Sequence, residues 1–144
     1  MAELKKIAGI DFGDARIGVA ISDTNRIIAF PNDVLKVTGI DDAVKKTAEK
    51  LDNLGVSEAV IGMPKNMDGS SGFRADRTKR FGDMLSELSG CKLYYYDERL
   101  STVMAHGYLA ESGISSKKHK KVVDALSAQI ILQDYLDSKN NSQL

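Results

Sequence analysis

The 144-residue sequence has little cysteine and histidine and no excess charge of either sign. The single cysteine, Cys91, excludes a disulfide within the chain and fits a reducing compartment. Two histidines and one cysteine, all far apart in sequence, argue against a structural zinc site. Because 20 basic residues balance 20 acidic ones, any affinity for a polyanion must come from local clusters of charge.

Long apolar segments are also absent from the sequence. No apolar run is long enough to span a bilayer, and no signal-like apolar segment follows a basic start. We therefore expect a soluble, cytoplasmic protein with no membrane partner. Its 42% hydrophobic and 28% charged residues are ordinary for a globular protein. We predict one domain over residues 1–138, followed by a polar tail over residues 139–144.

The hydrophobic pattern predicts an antiparallel meander followed by alternating helices and strands. The predicted elements are strands at 5–12, 16–22 and 26–30, a helix ending at Gly55, a strand at 59–62, a helix ending at Gly90, a strand at 93–96, a helix from Ser101 or Thr102 to Gly113, and a last helix at about 120–138. This order predicts an α/β fold with a five-stranded mixed sheet and helices on both faces.

Three acids stand in apolar surroundings. Asp11 closes a buried strand, Glu98 follows another, and Asp124 lies between apolar residues of the last helix. Such acids are costly unless they are paired, hydrogen-bonded or bound to a metal. Functional groups of open α/β sheets gather outside the carboxyl ends of the strands, so we expect the three to converge. Three carboxylates without histidine or thiol suit Mg²⁺ or Mn²⁺, which makes them candidate metal ligands and catalytic residues.

Each of these acids also has a structural interpretation. Asp11 could cap the turn at Gly13, and Asp124 could be the N-cap of a helix beginning at Ala125. Glu98 could form a surface pair with Arg99 or a lysine. The coincidence of three acids is harder to explain in this way than each acid alone.

Basic residues lie close to these acids in the sequence. Because phosphate contacts supply most of the sequence-independent affinity for nucleic acids, basic groups beside an acidic metal site suit a nuclease. The candidate substrate-binding residues are Arg16, Arg74, Arg77, Arg99, Lys120 and Lys121. The alternatives are a solvated helix face for the clusters, and simple pairing with the neighbouring acid for Arg16 and Arg99.

Four blocks of the sequence resemble the YqgF/RuvX family, in the same order and over residues 5–137. The blocks are Asp11-Phe-Gly with Arg16-Ile-Gly-Val-Ala and Ser22-Asp23, Gly62-Met-Pro with Asn66-Met-Asp-Gly69, Asp97-Glu-Arg-Leu-Ser-Thr102, and Lys121-Val-Val-Asp-Ala-Leu-Ser-Ala128. The resemblance implies an RNase H-like fold related to the resolvase RuvC. It also implies that Asp11, Glu98 and Asp124 are the catalytic acids. Phe73 departs from the proline that many members have at its position.

The first functional hypothesis is a metal-dependent nuclease that hydrolyses phosphodiester bonds with two metal ions about 4 Å apart. The resemblance implies as its substrate the 5′ end of pre-16S ribosomal RNA or, alternatively, a Holliday junction. A homodimer would suit the junction, whereas a monomer could process RNA. A non-catalytic RNA-binding or transcription-complex protein on the same fold is a further alternative. An actin-like ATPase module is disfavoured because it needs two lobes and a second phosphate loop.

Overall fold

The computed structural model describes residues 5–63, 72–97 and 116–141, with side chains of the last helix from 124 to 140. The strands are β1 (Ala8–Phe12), β2 (Arg16–Ser22), β3 (Ala29–Lys36), β4 (Glu58–Met63) and β5 (Lys92–Asp97). The helices of the described part are α1 (Ile40–Leu54), α2 (Phe73–Ser89) and α3 (Ser116–Asn141). This order matches the predicted meander followed by βα units.

The five strands form one mixed sheet in the order β3-β2-β1-β4-β5. The first three strands pair in antiparallel fashion, whereas β4 lies parallel to β1 and β5 lies parallel to β4. The parallel pairs follow from the helical crossovers, which return the chain to the same edge before the next strand begins. The predicted mixed sheet is therefore confirmed. Because β1, β4 and β5 run parallel, their carboxyl ends lie at the same end of the sheet.

Side chains alternate between two cores, one on each face of the sheet. The first core joins the sheet to α1 and α2, and its largest members are Ile10, Ile17, Leu51, Ile61, Phe81 and Leu85. The second core joins the sheet to α3 and includes Ile7, Ala20, Val60, Ala128, Ile131 and Leu132. Adjacent residues of a strand face opposite sides of the sheet. Ala8 and Ile10 therefore belong to the first core, whereas Ile7 belongs to the second. Helices cover both faces, as predicted.

The predicted third strand, at residues 26–30, was wrong in its position. The Oδ1 atom of Asp23 accepts hydrogen bonds from the backbone N–H groups of Ile27 at 2.7 Å and Ile28 at 2.9 Å. This side chain keeps residues 27 and 28 out of the strand, after the turn at Thr24-Asn25, and β3 runs from Ala29 to Lys36. Pro31 interrupted the apolar pattern in the sequence, but β3 is an edge strand, where a missing N–H group is tolerated.

The predicted ends of two helices are confirmed. Gly55 and Gly90 follow α1 and α2 in the left-handed conformation, with φ of 69° and 74°. The last helix is longer than predicted, since α3 runs from Ser116 to Asn141. The helix predicted between residues 101 and 113 lies outside the described residues. In the part of the chain that is described, no helix has the length and apolar character needed to cross a membrane.

Candidate active site

Two glycines allow α3 to lie against the sheet at close range. A Cβ atom on Gly18 would lie 2.1 Å from the backbone oxygen of Asp124, and one on Gly9 would lie 2.7 Å from the Cβ of Leu132. Real Cβ atoms do not approach other atoms this closely, so any larger residue would displace the helix. Glycine within a strand often marks such a close backbone approach. Gly9 of β1 and Gly18 of β2 therefore determine how closely α3 packs against the sheet.

The same approach brings Asp124 to the neighbourhood of Asp11. In the antiparallel pair of β1 and β2, Asp11 lies directly opposite Gly18. The Cα atoms of such partners are about 4.5–5.5 Å apart. Asp11 alternates with Ile7 and Gly9, so it lies on the face that α3 covers. Both predicted acids therefore lie next to Gly18 at the carboxyl end of β1.

Asp124 lies inside α3, and the interpretation of this residue as an N-cap was wrong. Its Oδ2 atom accepts a hydrogen bond of 2.5 Å from Nε of Arg16, the first residue of β2. The two side chains are 21% and 34% exposed, so solvent and ions can still reach the pair. A partly exposed ion pair contributes little to stability. Its effect is to orient the Asp124 carboxylate towards Arg16, at the end of the sheet that carries Asp11.

The predicted basic residues of α2 lie at the same end of β1, beside the turn into β2. Nε of Arg77 is 2.9 Å from Oδ1 of Asp14 in that turn. A small surface groove lies at this contact and is lined by Phe12, Gly13, Asp14, Phe73, Arg74, Arg77 and Thr78. Arg74 and Arg77 are therefore close to the strand end that carries Asp11, as a role in substrate binding requires.

Four predicted site residues belong wholly or in their side chains to the part of the chain that the structure does not describe. Glu98 and Arg99 lie outside the described residues, and so do the side chains of Lys120 and Lys121, whose backbone belongs to α3. Within residues 5–63, 72–97 and 116–141, no group of three or more His, Cys, Asp and Glu could hold a metal ion. Only two of the three predicted acids belong to this part of the chain.

Sequence reasoning missed Gly18 as a determinant of the site. Its signal was present, because Gly18 lies within the continuous apolar run of β2, where a residue without a side chain often marks close backbone approach. The partner in this contact, Asp124, lies 106 residues further along the chain, and nothing in β2 itself identifies it. The contact follows only once α3 is placed on the sheet.

The chain matches a known family and named relatives over nearly its full length. The model of the RuvX family, described as a Holliday junction resolvase, matches residues 5–138. A protein of Halothermothrix orenii is 43% identical over 135 residues, which cover 94% of this chain and 96% of the relative. One of Carboxydothermus hydrogenoformans is 41% identical over 137 residues, which cover 95% and 99%. Both carry the name "Putative pre-16S rRNA nuclease".

Solved structures of two resolvases share the fold. The chain resembles Thermus thermophilus RuvC bound to a Holliday junction with a TM-score of 0.58 and 15% identity, over 96% of this chain and 97% of that one. It resembles the fowlpox virus resolvase bound to Holliday junction DNA with a TM-score of 0.60 and 14% identity, over 93% and 98%. These likenesses confirm the predicted RNase H-like fold.

Proposed function

The chain belongs to the RuvX family, and from this premise we propose that it is a metal-dependent nuclease that processes the 5′ end of pre-16S ribosomal RNA. The names of its relatives support the substrate, since proteins about 40% identical over nearly their full length are named for it. The basic residues near the end of β1 support a nucleic-acid substrate independently. A cytoplasmic location fits this role, as does the free thiol of Cys91.

One observation carries the proposal: the approach of α3 to β2 at Gly18 places Asp124 on the same face as Asp11. The helix can lie this close to β2 only because residue 18 has no side chain. An acid on an exposed surface would not require such a contact. Two carboxylates brought together in this way repel each other unless a cation lies between or beside them. Arg16 supplies one positive charge in the described structure.

The donor set fits a hard divalent cation. Asp11 and Asp124 offer carboxylate oxygens, which Mg²⁺ and Mn²⁺ prefer, and both residues are only partly buried. We propose that Glu98, which follows directly after β5, completes the ligand set. Divalent ions held there would supply the activation of water and the stabilisation of the leaving oxygen in a two-metal mechanism.

The residues around the acids hold the substrate in this proposal. Arg16 keeps the Asp124 carboxylate in place, and its charge lowers the repulsion between that carboxylate and Asp11. Arg74 and Arg77 bind backbone phosphates next to the scissile bond, and Arg99, Lys120 and Lys121 extend this contact. Such contacts position the nucleic acid without reading its sequence.

A second candidate function is resolution of Holliday junctions. The description of the family model favours it, because that model is named for this activity. A four-way junction has two equivalent strands to cut, so this function calls for a symmetric homodimer, whereas a monomer can process an RNA end. A monomeric active species would therefore argue against junction resolution, whereas a dimer is compatible with both functions.

The test is cleavage of two substrates, a pre-16S RNA carrying its 5′ leader and a four-way DNA junction, with Mg²⁺ or Mn²⁺ and with EDTA. We expect the parent to cut the RNA and EDTA to stop it. Loss of a metal ligand removes several kcal/mol of transition-state stabilisation, so Asp11→Asn should be at least about 100-fold slower.

The matched control is Asp52→Asn, which alters an exposed acid near the end of α1. It should cleave like the parent. If Asp11→Asn also cleaves like the parent, the assignment of the site is wrong. Binding of the RNA without cleavage in either metal would instead show a non-catalytic protein.

A further inference from the structure

Phe73, the first residue of α2, is a large apolar side chain that the fold leaves in solvent. It is 79% exposed, whereas the next most exposed large apolar side chain of the described residues, Leu88, is 61% exposed. Single apolar residues at a surface are common and need no explanation by themselves. The surroundings of Phe73 are what distinguish it from the others.

Phe73 lies in the groove beside the candidate active site, together with Phe12. The Phe12 ring stacks on the buried ring of Phe81, with centroids 4.4 Å apart and planes inclined by 23°. Phe12 therefore belongs to the core and forms one wall of the groove. It also follows Asp11 directly in the chain, so the groove begins one residue from a candidate catalytic acid.

The charge around Phe73 is mostly positive, since the one acid that lines the groove, Asp14, is paired with Arg77. The first two turns of α2 carry one acid, Asp76, and four basic residues: Arg74, Arg77, Lys79 and Arg80. Of these, Arg74 and Arg77 line the groove with Phe73. This complementarity selects a polyanion rather than an apolar protein surface as the occupant. An exposed aromatic ring among cations is the combination that binds single-stranded nucleic acids, by stacking and by phosphate contact.

We propose that Phe73 stacks on an unpaired nucleobase of the substrate while Arg74 binds an adjoining phosphate. The proposal rests on the proposed function, since it concerns the nucleic acid that the same site would cut. Bases within a duplex already stack on one another and do not offer a face to the ring. The groove therefore selects a single-stranded segment next to the scissile bond.

The test is binding of a fluorescently labelled single-stranded oligoribonucleotide, measured by anisotropy in EDTA so that no cleavage occurs. Stacking on an aromatic side chain is lost in Phe73→Ala, and we expect Kd to rise about 5- to 160-fold. Phe73→Tyr should bind like the parent because it retains a ring. Phe30→Ala is the matched control, since Phe30 is 48% exposed but lies on edge strand β3.

A second measurement reports the stacking itself. An oligonucleotide with 2-aminopurine at successive positions should show quenched fluorescence at one position with the parent and not with Phe73→Ala. A duplex of the same sequence should bind both proteins equally. Equal oligonucleotide affinity of the parent and Phe73→Ala, or no affinity in either, would overturn the proposal.

These outcomes are separate from those of the nuclease test. If Phe73→Ala binds like the parent while Asp11→Asn abolishes cleavage, the nuclease assignment stands and the stacking proposal is wrong. If binding depends on Phe73 but the parent cuts no substrate, the stacking proposal stands and the nuclease assignment is wrong.

Discussion

Two arginine–carboxylate pairs lie at opposite ends of the sheet and differ in their surroundings. Arg16 pairs with Asp124 at the carboxyl end of β1, and Arg26 pairs with Glu58 at the beginning of β4. The exposed fractions of the four side chains are similar, between 21% and 34%. The chemical type and the burial of a pair therefore do not reveal its role.

The pair of Arg26 and Glu58 belongs to a network that ties chain segments together. Glu58 also accepts a hydrogen bond of 3.1 Å from the hydroxyl of Tyr94, and Nε of Arg26 donates one to the backbone oxygen of Lys5. The backbone oxygen of Arg26 accepts a hydrogen bond of 3.2 Å from Asn140. These contacts join β4, β5, the turn before β3 and the end of α3, so the pair is structural.

The pair of Arg16 and Asp124 lies instead where the backbone itself is specialised. It connects β2 to α3 at the point where Gly18 admits the helix, across from Asp11. Its position beside a second acid and a basic groove, and not its bond strength, gives it a functional role in our proposal. The comparison teaches that the neighbours of an ion pair decide between structure and function.

The largest expected effect comes from closing the space between β2 and α3. Gly18→Ala places a Cβ atom within 2.1 Å of the Asp124 backbone oxygen, so α3 must move away from Asp11. We expect overpacking to lower the free energy of unfolding by about 1–3 kcal/mol. Because small misplacements of catalytic groups are costly, cleavage should fall about 100-fold. Chemical denaturation and single-turnover cleavage measure the two effects.

The control for this change is Gly82→Ala, which crowds the hydroxyl of Tyr95 beside α2 on the opposite face. It should lower stability but leave cleavage close to that of the parent. If Gly18→Ala loses as much stability as Gly82→Ala but still cleaves at the parental rate, the close packing of α3 at Gly18 does not position the site.

A smaller effect is expected from pH at the opposite end of the sheet. Partial burial opposes ionisation of Glu58, but hydrogen bonds from Arg26 and Tyr94 outweigh it and hold the pKa below its usual value. A carboxyl group with a lowered pKa in the folded state stabilises the protein above its unfolded pKa, about 4.3. That contribution is lost as the pH falls from about 4.3 through the lower, folded pKa.

Denaturation of the parent and Glu58→Gln between neutral and acidic pH measures this contribution. The parent should lose more stability on acidification than the variant, by no more than about 1 kcal/mol, because the pair is partly exposed. The variant should keep part of the acid sensitivity, since backbone hydrogen bonds also lower the pKa of Asp23 and Asp42. Equal pH profiles would show that the network does not stabilise ionised Glu58.

Much of this arrangement was predictable because strands and helix ends leave local signals. The apolar run that ends in Asp11 marks a strand end, and the glycines at 55 and 90 stop two helices. The position of β3 was not predictable in this way. Its start depends on two hydrogen bonds that the side chain of Asp23 accepts from the backbone of Ile27 and Ile28. The role of Glu98 stays a prediction.

The contact of Arg16 with Asp124 spans 108 residues of sequence, and no periodicity encodes it. The contact depends on the position of α3 on the sheet, and Gly9 and Gly18 in two different strands determine that position. The family resemblance contains Arg16 and Asp124 in two separate blocks and does not pair them. The pattern alone suggested Asp124 as an inward acid but left its capping alternative open.

The most direct test compares single-turnover cleavage of the pre-16S RNA by Asp124→Asn and by Glu58→Gln. Each change removes the charge of one arginine-paired carboxylate and keeps its shape, so the two variants make the same kind of change at opposite ends of the sheet. We expect Asp124→Asn to be at least about 100-fold slower than the parent and Glu58→Gln to be within about twofold of it. Equal rates for the two variants would contradict the assignment of Asp124 to the active site.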